Sequence, residues 1–141
     1  MSPSQMIGAL LNEASAITNI VSTRIYGGLK PGATTVPATF PAINYFELAG
    51  GKKIYGFYSQ AYSINCRAAT AETALNLARK VDDLFSGTSG MGTYGDASNV
   101  SVFGFARAST RQMQGLIPEP DEGLYNAPVD VQVVFPVSSI S

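Results

Sequence analysis

The segment from Leu124 to Val137 constrains the fold of this chain most. Tyr125, Ala127, Val129, Val131, Val133, Phe135 and Val137 fill every second position. Side chains of an extended strand alternate between two faces, so a period of two predicts a strand with one face in a core. Pro128 and Pro136 lie in the same run. Proline brings no amide donor to a ladder, so parts of this strand are expected at a sheet edge or beyond the sheet.

Two segments carry the helical period instead. Met6, Ile7, Leu10, Leu11, Ala14, Ile17, Ile20 and Val21 predict an amphipathic helix over Ser4–Val21, with Ser4 as its cap and Gly8 as a weak point. Ala74, Leu77, Ala78, Val81, Leu84 and Phe85 predict a second over Ala71–Ser86. Thr70 suits its N-cap, Glu72 suits the positive end of the helix dipole, and Gly87 suits the C-terminal stop.

Further strands are expected at Ala42–Leu48, Ile54–Ala68 and Asn99–Ser109, with a short one at Thr23–Tyr26. Thr88–Ser98 reads as a glycine-rich loop and Arg111–Glu122 as a polar connection. The order helix, two strands, helix, two strands implies an α+β domain. It has an antiparallel sheet of about four strands, two helices packed on one face, and long loops. A chain of 141 residues suits one such domain, spanning 1–141.

Composition narrows the function. Nine Lys+Arg against ten Asp+Glu leave no basic footprint for gripping nucleic acid. The apolar runs are far shorter than the ~20 residues of a membrane helix. The first residues carry no early positive charge and do not read as a secretory signal, and one cysteine, Cys66, fits synthesis in a reducing cytoplasm. There is no histidine, which removes the commonest general base and a favoured metal ligand.

The stretch Gly90–Gly95 matches GxGxxG, but a dinucleotide site needs a strand before the motif and a helix after it. Here a helix precedes it and a strand follows, so it reads as a glycine loop. Cys66 sits on the apolar face of its strand and reads as a buried structural thiol. Glu119, Asp121 and Glu122 cluster between prolines and read as a solvated loop. No catalytic, cofactor-binding or metal-ligating residue is expected.

The interface candidates are of two kinds. Arg24, Tyr26, Lys30, Lys52, Lys53, Arg111, Gln112 and Glu119 lie on loops and strand ends. Tyr55, Phe57, Phe103 and Phe105 lie on strands whose alternate positions, such as Ile54, Val100 and Val102, are apolar too. Two helices cover one sheet face only, so the surplus points to a neighbouring subunit or a folded-back loop.

The ordered pattern resembles a family. The N-terminal helix is followed by Thr23-Arg24-Ile25-Tyr26-Gly27, a proline-rich stretch and Phe40-Pro41-Ala42-Ile43-Asn44-Tyr45. Tyr62–Ala68 then leads into Glu72–Ala78 and Val81, and Asp130-Val131-Gln132-Val133 comes near the close. This is similar to the tail-completion (tail-terminator) proteins of long-tailed bacteriophages. The resemblance implies a structural virion protein and no enzyme. It implies a homo-oligomeric, typically hexameric ring that caps the tail tube, ends its growth and joins the tail to the head connector (stopper). The ring would meet the tube protein and that connector, with DNA only in passage through its lumen and no membrane. Assembly would occur in the host cytoplasm and residence would be in the virion neck. Another head–tail connector or minor tail protein, or a small cytoplasmic ligand-binding α+β domain, stays open as an alternative.

Overall fold

The computed structural model describes residues 3–27, 40–48, 52–54, 57–86, 91–96 and 99–136. The N-terminal apolar stripe forms two helices where one was expected: α1 (Pro3–Glu13) and α2 (Ser15–Val21). Ala14, extended at φ −81° and ψ 103°, separates them. The break lets both halves follow the core, for Ile7, Leu10 and Leu11 of α1 and Ile17 and Val21 of α2 are all buried. Pro3 takes the first helical position, where its fixed φ and missing donor fit, so Ser4 lies inside α1 and is not its cap. The helix α3 (Ala71–Ser86) has the bounds its periodicity predicts. The Thr73 amide donates to the Thr70 hydroxyl at 3.3 Å, which confirms the cap. Gly87, the expected stop, lies outside the described residues.

The strands are β1 (Ile25–Gly27), β2 (Ala42–Glu47), β3 (Lys52–Ile54), β4 (Phe57–Ala68), β5 (Met91–Asp96), β6 (Asn99–Met113), β7 (Ile117–Glu119) and β8 (Leu124–Pro136). They form one sheet in the order β1-β2-β4-β8-β6-β5, with β3 on β4 and β7 on β8. The fold is α+β, as expected, but the sheet has about twice the expected strands and is mixed, because β1 runs parallel to β2.

Each departure has a local cause. The expected strand Ile54–Ala68 is a hairpin in which Ile54 faces Phe57. Aromatics on both faces near its start were the sequence sign that one period did not hold. The expected loop at Thr88–Ser98 is mostly β5, whose register on β6 shifts around Gly95. Glycine suits such irregular pairing. The expected connection Arg111–Glu122 holds the end of β6 and all of β7. Finally, β8 is a central strand although it carries Pro128. The Gln114 amide donates to the Pro128 carbonyl at 3.0 Å. A residue's N and C=O point to the same side of a strand, so the missing donor faces the gap where β6 ends at Val129 and β7 begins at Asn126.

All three helices pack on one sheet face around one buried cluster. Leu10, Ile17, Ile64, Leu77, Val81, Val131 and Val133 are buried together there, as the two periodicities predict. Tyr45 enters this layer between two glycines. A Cβ at Gly8 would stand 2.5 Å from its hydroxyl oxygen, and one at Gly27 would stand 2.7 Å from its Cζ. Gly8 is therefore a packing requirement that helix propensity alone reads as a defect.

The middle of the opposite face is polar. Asn44, Ser63, Asn65, Arg67 and Asn126 lie on it, all buried. An apolar surplus was expected on this face. Of its four residues, Phe57 lies at the start of β4, Phe103 and Phe105 lie on β6 beside β5, and Tyr55 is outside the described residues.

Candidate functional site

The register places Lys52 and Lys53 at one corner of the central β4–β8 ribbon and Glu119 at another. β3 extends the lane of β2 and pairs with Phe57–Ser59 of β4. β7 extends the lane of β6 and pairs with Leu124–Asn126 of β8, which face the other end of β4. The corners are diagonal, on opposite flanks and at opposite ends. At ~3.3 Å per residue the twelve-residue β4 holds them on the order of 30 Å apart.

The β3 corner carries Lys52 and Lys53, opposite Ser59 and Tyr58. The β7 corner carries Glu119 and the turn 120–123, with Asp121 and Glu122 exposed, while Arg111 and Gln112 lie on β6 beside Val131 and Asp130, midway along β8. Thr110 faces Val131 and Gln112 faces Asp130, so Arg111 is the extra residue of a β-bulge. A bulge re-aims a side chain, and that of Arg111 is exposed. Met113 and Ile117, 39% and 42% exposed, are the exposed large hydrophobics among the described residues; Met113 faces Val129 on the helix side of the sheet and Ile117 faces Asn126 on the other. A shallow hollow of about 250 Å³ opens over Ala69, Pro118, Pro120 and Tyr125.

Glu119 does not belong to a solvated loop. Its carboxylate meets the guanidinium of Arg67 at 2.9 Å, and Arg67 is only 2% exposed. This pair bridges β4 and β7 across the back face. Beside it the Asn126 amide donates to Asn65 Oδ1 at 2.9 Å. Alternation along Tyr62–Ala68 puts Arg67 on a polar face with Ser63 and Asn65, but gives no sign of its burial. The alternation predicts the face, but nothing in it predicts that the face is covered.

Arg24 and Tyr26 lie at the β1 edge. Arg24 Nε donates to the Pro41 carbonyl at 2.8 Å and Nη2 to that of Ile20 at 3.3 Å. The guanidinium thus ties the end of α2 to the start of β2. Tyr26 is half-buried. Lys30 and Tyr55 lie outside the described residues.

Cys66 is fully buried between Ile43 and Ala127 of the flanking strands, and burial pushes its thiol up. The GxGxxG stretch has no helix N-terminus to complete a phosphate cradle, because Met91–Asp96 is a strand that pairs with the next strand. An open cleft of about 390 Å³ between Ala14 and α3 is lined by Glu13, Ser15, Lys80, Asp83 and Leu84. Among the described residues no cluster of acids or thiols could hold a metal ion. No described helix is long and apolar enough to cross a membrane.

Comparison with solved structures gives a likeness over the full length. The chain is similar to a protein chain in the virion of a native gene transfer agent (GTA) particle, with a TM-score of 0.60 and 12% identity. The match covers 96% of this chain and 95% of that one. At this identity the likeness is one of fold. No protein family matches the sequence, and no curated protein matches it.

Proposed function

We propose that this chain is a structural virion protein of the tail-terminator kind, a non-enzymatic subunit of a hexameric ring that caps the tail tube, ends its growth and joins it to the head connector. The observation that carries this reading is the mutual coverage of the fold match. The match covers 96% of this chain and 95% of the other, and the other is a chain in the virion of a gene transfer agent particle. The ordered sequence pattern around Phe40–Tyr45 and Tyr62–Ala68 supports the finer assignment to the tail terminus. A ring at the end of a tube has head-to-tail contacts, because like patches would pair subunits two by two. Near-neutral charge suits a lumen through which DNA slides, since a strongly basic one would hold phosphates.

The test is to image the assembled particle and locate this chain in it. A single ring at the junction of tail and connector is expected. Absence from that junction, or a two-fold dimer in its place, overturns the reading.

A further inference from the structure

Arg67, Glu119 and Asn126 share one patch of the polar back face. Arg67 of β4 stands opposite Asn126 of β8, and Asn126 stands opposite Ile117 of β7, two residues before Glu119. The arginine side chain therefore reaches diagonally across β8 to meet Glu119 at 2.9 Å. That contact uses one nitrogen and one oxygen. Arg67 Nε, Glu119 Oε1 and Asn126 Oδ1 are each buried with no hydrogen-bond partner among the described residues. Asn126 is not free to turn its oxygen away. Its amide nitrogen donates to Asn65 Oδ1 at 2.9 Å, and a turned amide would set oxygen against oxygen there.

We propose that this patch is a binding site for one internal water molecule, held by Arg67, Glu119 and Asn126. The count of groups names the ligand. The site offers one donor, the Arg67 Nε–H, and two acceptors, the oxygens of Glu119 and Asn126. A water molecule accepts one such bond and donates two. Buried waters typically make about three hydrogen bonds to groups that the protein leaves unsatisfied. An anion fits badly, because two acceptor oxygens would face it. A cation fits badly, because a guanidinium would face it. The three partners come from β4, β7 and β8, so the water ties the short strand β7 to the sheet alongside the ion pair.

A high-resolution crystal structure of the full-length protein tests this. One water peak is expected within about 2.7–3.2 Å of all three atoms. A bidentate pair in which Arg67 Nε donates to Glu119 Oε1, with no peak beside it, overturns the site. So does a peak that touches only one of the three atoms, or one with the coordination of an ion. The variant Arg67→Met with Glu119→Leu takes away the donor and one acceptor. Its crystals are expected to have lost the peak while Asn126 keeps its bond to Asn65. A peak that persists in the variant overturns the assignment of its partners. Because the wild-type structure alone decides whether the water is bound, the proposal stands or falls even where the variant does not fold.

Discussion

The Arg67–Glu119 pair is the residue-scale feature with the largest energetic consequence. Arg67 Nε and Glu119 Oε1 find no hydrogen-bond partner, so the pair carries part of the cost of taking both charges from water. Removing one partner is worse than removing both. Glu119→Ala is expected to cost about 3 kcal/mol, because it strands a buried guanidinium. Arg67→Met combined with Glu119→Leu is expected to cost less than either single change. Denaturant unfolding of the wild type, Arg67→Met, Glu119→Leu and the double variant measures this, and additive losses would refute it. A second residue-scale prediction concerns base. Burial raises the Cys66 thiol and the Tyr45 phenol above their ordinary values. The unfolded chain releases these protons near about 8.5 and about 10, while the native chain keeps them. The stability these groups contribute is therefore complete below pH ~8.5 and falls as pH rises, by at most about 1.4 kcal/mol per pH unit for each group. Cys66→Ala is expected to flatten the first part of that decline in a series of unfolding midpoints.

At the scale of elements, the exit from α2 is a tight turn built on the wrong residue. Ser22 has φ 56° and ψ −123°, and the Arg24 amide donates to the Val21 carbonyl at 2.9 Å. That is a type II′ turn with serine where glycine belongs. Ser22→Gly is expected to stabilise the fold by about 1 kcal/mol, seen as a higher melting temperature. The β7 excursion behaves differently from a free loop. Because β7 pairs with β8 and Glu119 holds Arg67, deleting 112–120 is expected to damage folding itself, lowering the unfolding midpoint and not merely weakening assembly. The elements differ in how legible they were. α3 was plain because its stripe, cap and acidic first turn agree. β5 and β7 were hidden, because glycines and prolines read as punctuation until a neighbouring strand supplies the ladder. The partnership of Arg67 and Glu119 spans 52 residues. No local period encodes it.

The whole molecule was legible as far as its apolar face. The period-two run of β8 and the stripe of α3 name most of the buried cluster, and the α+β class follows from their order. The place of β8 in the sheet was not legible, because Pro128 argues for an edge until the gap between β6 and β7 is seen. The placement of Lys52, Lys53, Arg111, Gln112 and Glu119 was partly legible: all were candidates, but only the register sets the two lysines at one end of the ribbon, Glu119 at the other and Arg111 and Gln112 between.

The central place of β8 has a consequence in time. β8 is flanked by β4 on one side and β6 on the other, yet it follows both in the chain. While the ribosome has not yet released Leu124–Pro136, one lane of strands ends at β4 and another at β6, and no ladder joins them. The ladder between them is the most sequence-distant in the sheet and closes late, since loop closure must precede it. A fragment ending at Gly123 is expected to lack a cooperative unfolding transition, and a sharp transition from it would contradict this. The two lanes become one sheet only when the strand Leu124–Pro136 slides between them, so the order of synthesis leaves the sheet divided until late.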